Sequence, residues 1–443
     1  MQVQLSDHFT YRKLFAFVLP PIAMMLLTSV YTMVDGLFVS HFVGKTAFAA
    51  LNFVFPVVML LGGLGFMFGT GGTALVAKTL GQGAPRRAQR YFTQIIMLAA
   101  ALGALLGGVG IIWLPEICIL LGSTPEMQAD AVLYGRIMLG FLPCCVLQWT
   151  FQALLIAAEK PRLAFWLSVA GGLTNIVCDA IFMAIFGWGI TGAAVATGLS
   201  QVVAGLIPVV YFMLPNSSLL RFTRTTMQLR PMLRACTNGA SELVSGVSGS
   251  LVGMLYNYQL LRFYGEDGVA AYGVVMYVGF FFVAIFFGFD MGSTPLLAYN
   301  HGAENHAELK NLFRKSLLIV SITGIFLAAL AVGLARPLAS MFVGYSKELT
   351  VLTAHAFCLF AISFALMGYN ICASGLFTAM NNGLISAAIS FIRTFAFQAV
   401  AVLTLPILFG DSGIWWSASV AEVGALLFSI GFILRYRKTY GYL

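Results

Sequence analysis

Five carboxylates, Asp35, Asp179, Glu242, Asp290 and Glu422, lie inside long apolar stretches of this sequence. An isolated charge in hydrocarbon costs roughly 2.5 kcal/mol or more, so such residues are expected to face a protein-lined or watery interior. The sequence holds only sixteen acidic residues, and the other eleven fall in or near predicted loops. This partition implies a membrane protein with a polar interior and points to transport.

Four oxygen-bearing side chains form the sharpest constellation. Asp35 lies near the outward end of the first apolar run, and Asn175 and Asp179 share one helix face, four residues apart, in the fifth. Thr197 lies near the start of the sixth, which runs the opposite way, so all four occupy one layer in the outer half of the membrane. Carboxylate, amide and hydroxyl oxygens are the ligands of a small hard cation. Desolvation also disfavours the charged form of a carboxyl, so the same set suits a proton. The residues do not choose between sodium and a proton, and a structural hydrogen-bond network tying three helices together is the alternative. Glu242 and Asp290, in the inner parts of the seventh and eighth runs, are candidates to line a cavity and meet a cationic substrate, or to pair with a nearby polar group. Glu422, the repeat counterpart of Gly198, is a third candidate for the cavity wall.

The elements that must position these groups follow from composition. Hydrophobic residues make up 60% of the chain and charged ones 9%, with a mean hydropathy of +0.92. That excludes disorder and a soluble enzyme. A spanning helix needs about 20 mostly apolar residues. Twelve are predicted, at 13–40, 47–77, 91–113, 131–158, 162–187, 190–214, 234–262, 269–299, 311–334, 350–378, 384–409 and 413–435. This count places 18 of the 24 basic residues on one side, which is expected to be cytoplasmic and to hold both termini. Arg136 and Arg393 fall within helices. The first apolar run is too long for a cleavable signal peptide. The net charge of +8 is scattered through short loops, so no nucleic-acid partner is expected. The seven cysteines form no CxxC pair, and no phosphate loop, hydrolase triad or zinc motif supports an enzyme.

The chain also repeats itself. Gly69, Gly83 and Ala88 recur as Gly288, Gly302 and Ala307, and Gly189, Ile190 and Ala194 recur as Gly413, Ile414 and Ala418, at offsets of 219–224 positions. Each half holds six spans, so the halves enter the membrane alike and are related by a pseudo-twofold axis along its normal. The expected organisation is an all-α integral membrane protein: a lobe over 1–214, a linker over 215–233 and a lobe over 234–443, around a central cavity. Such lobes can rock to give alternating access.

The chain resembles the multidrug and toxic compound extrusion (MATE) family over its whole length. The resemblance is carried by Val34-Asp35-Gly36, Leu75-Val76-Ala77 with Gly81-Gln82-Gly83, Asn175-Ile176-Val177-Cys178-Asp179, and the run from Gly189 to Thr197. It implies that Asp35 is essential to cation coupling and that Asn175, Asp179 and Thr197 complete a cation site, for Na⁺ if sodium drives the cycle. The branch with a functional glutamate deeper in the seventh helix is not matched, since that place falls near Ser245 or Gly246. The run Asn238-Gly239-Ala240-Ser241-Glu242 looks more like the MepA-type branch. The implied function is a monomeric, multi-pass transporter of the cell (inner) membrane, exchanging inward H⁺ or Na⁺ for outward cationic, amphipathic drugs or dyes. No cofactor beyond the coupling ion is implied. A flippase for a lipid-linked precursor is the alternative reading.

Overall fold

The computed structural model describes residues 3–43, 45–120 and 123–443, apart from the side chains at 37, 40, 41, 45–49, 52 and 126. Twelve spans cross it in two lobes. The first half holds α1 (Tyr11–Phe42), α2 (Lys45–Gly81), α3 (Pro85–Leu120), α4 (Pro125–Gly140 continued by Leu142–Ala157), α5 (Pro161–Asp179) and α6 (Gly189–Met213). In the second half the helical stretch from Leu229 to Gly302 is interrupted at Gly265 (φ 61, ψ −147), which turns the chain. That backbone region is open essentially to glycine alone. The run is therefore two spans, α7 over 229–264 and α8 over 266–302. They are followed by α9 (His306–Gly333), a short helix (Ala335–Val343), α10 (Lys347–Ala379), α11 (Gly383–Phe391 continued to Phe409) and α12 (Ser412–Tyr440).

Local chemistry sets the helix ends. Proline opens α3, α4 and α5, where its missing N–H loses no bond. The side chains of Thr10, Asn305, Ser346 and Asn382 cap α1, α9, α10 and α11. Pro143 lies beside a break in its span: α4 bends by 54° at Phe141. Pro20, Pro21, Pro56, Pro208, Pro295 and Pro406 lie inside continuous helices. The connection between lobes is shorter than the expected 215–233, because α7 already begins at Leu229.

Backbone contact at glycine joins the lobes at the end where the termini lie. A Cβ on Gly71 would overlap the Ala235 carbonyl, one on Gly239 the Met67 carbonyl, and one on Gly302 the Lys78 carbonyl. Gly288 and Gly292 of α8 admit Ile22 and Val18 of α1 in the same way. At the far ends of α1, α7 and α8, Gly36, Gly249, Gly253 and Gly273 have nothing within 4 Å of a would-be Cβ. Leu251, Met254, Tyr258 and Phe280 are exposed there. An apolar hollow of about 520 Å³ opens between Leu60 and Leu64 of one lobe and Val247, Leu251 and Phe395 of the other. The lobes are thus sealed at one end and parted at the other.

A strap crosses the sealed end. The Leu5 N–H donates to Glu159 Oε1 of the first half (2.7 Å), and the Phe9 N–H donates to Glu308 Oε1 of the second (2.9 Å). His8 Nδ1 meets Glu308 Oε2 at 2.6 Å, and Lys315 Nζ donates to the Phe9 carbonyl. Leu5 and Phe9 are fully buried. Glu308→Ala leaves the buried Phe9 N–H unpaired and is expected to cost about 1–3 kcal/mol. Thermal unfolding in detergent measures that loss, and faster proteolysis before Phe9 should accompany it.

Candidate functional site

The outer part of α1, the end of α5 and the start of α6 bring Asp35, Asn175, Asp179 and Thr197 together. Asn175 Nδ2 donates to Thr197 Oγ1 at 3.5 Å, and Asp179, one turn further on, is fully buried. The Asp35 and Asp179 carboxyls face each other closely enough to interact. Yet Asp35 Oδ1, Asn175 Oδ1 and both Asp179 oxygens are buried with no hydrogen-bond partner among the described residues. Buried acceptors are rarely left in this condition, and each one is costly. Protons would convert some of them to donors, and a small hard cation would take them as ligands.

Two features of this site carry no obvious mark in the sequence. Directly after Asp179 the chain widens into a π-helical segment, Ala180–Ile185, a geometry frequent at functional sites. Tyr134 of α4 lies 3% exposed beside both aspartates, and Tyr31 lies one turn before Asp35. The spacing of Tyr31 from Asp35 is the one signal that reasoning from helix faces would have caught. No cluster of three or more His, Cys, Asp or Glu suited to a metal occurs among the described residues. Any sodium here would rely on the mixed carboxylate, amide and hydroxyl set.

The second half differs. Glu242 and Asp290 face one small cavity of about 20 Å³ between the lobes, room for about one water, with Thr70 and Thr73 across from them. Glu422 does not join them. It is 4% exposed and held by Arg393, whose Nε donates to Oε1 at 2.8 Å and Oε2 at 3.1 Å, while Asn370 Nδ2 donates to Oε2 at 2.7 Å. The expected place of Glu422 on the cavity wall is therefore corrected: a buried carboxylate beside a guanidinium takes that partner first. Arg393 lies in the second π-helical segment, Ile392–Ala396 within α11. Asp290 in turn fits against Gly375 of α10, where any Cβ would overlap its carboxyl. Gly375→Ala is expected to cost about 1–3 kcal/mol by overpacking. Combining it with Asp290→Ala should recover most of that in a thermal unfolding series.

Two six-span lobes enclosing buried acids are the architecture of many secondary transporters. The MatE family model matches twice, over 20–181 and 243–403, a displacement close to that of the recurring glycines. The chain belongs to the MatE (MATE) family of membrane transporters. Among its relatives are the multidrug export proteins MepA of Staphylococcus saprophyticus and Staphylococcus aureus (strain MSSA476), each 24% identical over 97% of this chain and 95% of the relative. The fold is shared with a MATE crystal structure in the straight conformation (TM-score 0.91, 20% identity, 97% and 98% coverage). It is also shared with an outward-facing multidrug resistance MATE transporter (TM-score 0.90, 22% identity, 99% of each chain).

Proposed function

We propose that this protein exports organic cations of amphipathic character in exchange for protons or sodium ions moving inward. The observation that carries this reading is the set of four unpartnered acceptor oxygens on Asp35, Asn175 and Asp179. Positive charge is what such a set lacks. Asp35 and Asp179 are the coupling acids, and Asn175 and Thr197 are neutral ligands or relay partners. Tyr134 and Tyr31 close the site off. The names of the MepA relatives support drugs as cargo, and the sealed basic end supports an orientation with both termini in the cytoplasm. The chain then sits in the cell (inner) membrane with its open side outward.

Energetics limit the exchange. One charge crossing 100 mV is worth about 2.3 kcal/mol, a contribution that cancels when one monovalent cation replaces another. One unit of pH gradient then supplies about 1.4 kcal/mol, roughly tenfold accumulation. A flippase for a lipid-linked phosphate would call for basic side chains, whereas the described residues lining the interlobe cavity include Glu242 and Asp290 and no lysine or arginine. Dye transport by proteoliposomes, with sodium and pH gradients imposed separately, tests the proposal. Transport under neither gradient would refute it, and transport that persists without sodium but stops when the pH gradient collapses would assign the proton.

A further inference from the structure

The interlobe cavity poses a charge-balance problem of its own. Glu242 comes from α7 and Asp290 from α8, and among the described residues no ion pair reaches either of them. The guanidinium nearest Glu242 is that of Arg393, already engaged by both oxygens of Glu422. Asp290 has Thr294 and Cys372 beside it, with Glu242 as the acid next to it. The remaining walls are largely apolar, including Met25, Phe66 and Phe287. Two uncompensated carboxylates in such a place are strongly unfavourable. A further group points to a ligand: Thr73, only 2% exposed, lines the same cavity with its Oγ1 buried and without a partner.

Thr70 and Thr73 belong to α2, whereas the two acids belong to the other lobe. The cavity borders the seam where Gly71 and Gly239 bring the lobes into backbone contact. It is therefore whole only while that seam is shut. We infer that Glu242 and Asp290, faced by Thr73, form a second proton-binding site, separate from the Asp35–Asp179 site, whose occupation holds the seam closed. An O–H bond forms on one carboxylate oxygen with a proton delivered as hydronium from the open side. It breaks to water when the seam parts and the other side gains access. No redox change is involved. A ligand bound in one state alone shifts the equilibrium toward that state by its differential affinity. The inference rests on the antiport reading above, and it implies two protons per exported monovalent cation.

The test uses the full chain in proteoliposomes with tetraphenylphosphonium as cargo, at zero membrane potential. One pH unit then sustains about 100-fold accumulation with two protons and about tenfold with one. Wild type is expected to reach about 100-fold and to carry inward current at imposed voltage. Glu242→Gln with Asp290→Asn should transport more slowly and stop at about tenfold, with the current lost. The ratio at static head does not depend on rate, so slower turnover does not blur the result. Wild type stopping at tenfold, or the double variant still reaching 100-fold, overturns the inference. A sodium gradient that restores the second charge at equal pH overturns the proton assignment. If the double variant fails to insert, wild type in detergent decides: two protons released per tetraphenylphosphonium bound support the site, and one excludes it. Failure of the antiport reading looks different, because wild type would then accumulate nothing under any gradient.

Discussion

Asp35→Asn is expected to reduce gradient-driven accumulation of a cationic dye to equality across the membrane, with Asp179→Asn giving the same loss. The amide keeps the size of the carboxyl but carries no charge and takes up no proton at any working pH. Coupling is lost because the variant's affinity for the cargo no longer depends on the ion. Stability should move the other way. The two carboxyls interact in the wild type, and three of their four oxygens have no partner. Replacing one acid removes an uncompensated charge and should leave thermal stability equal or higher. A purely structural network makes the opposite prediction, with stability falling and transport spared. Unfolding curves and dye accumulation measured on the same preparations separate the two.

Arg393→Met should have the largest effect on folding. Its guanidinium is 12% exposed and the Glu422 side chain 5%, so removing the cation strands a carboxylate among apolar helices. Breaking a buried pair from one side costs about 3–5 kcal/mol. Adding Glu422→Met should restore most of that, since apolar residues of similar volume often replace a buried ion pair without net loss. Thermal unfolding of the single and double variants in detergent gives the comparison. A loss below about 1 kcal/mol for Arg393→Met alone would mean that the pair is solvated.

Much of the fold was legible in the sequence because spans of about 20 apolar residues leave few alternatives. The predicted break between 262 and 269 is where Gly265 turns the chain, and only the backbone geometry of that turn was beyond the sequence. At the candidate site, helix direction and four-residue spacing were enough to group Asp35, Asn175, Asp179 and Thr197. The π-helical segment after Asp179 was not legible, since its residues are ordinary for a membrane helix. Glu422 was misplaced for an instructive reason. Repeat alignment gave its depth, but its partner comes from another helix, and only the arginine within the predicted eleventh span pointed to it. The strap over residues 3–9 left no pattern, because backbone N–H groups make its key contacts.

The turn at Gly265 leaves no slack between α7 and α8. Glu242 and Asp290 sit at nearly equal distances along the two arms from that vertex, like the tips of a pair of tweezers. Both tips belong to the same lobe and face α2 from one side. The wall that leaves them is the threonine-bearing α2. On the inferred second proton site, what they grip is let go when that opposite jaw withdraws.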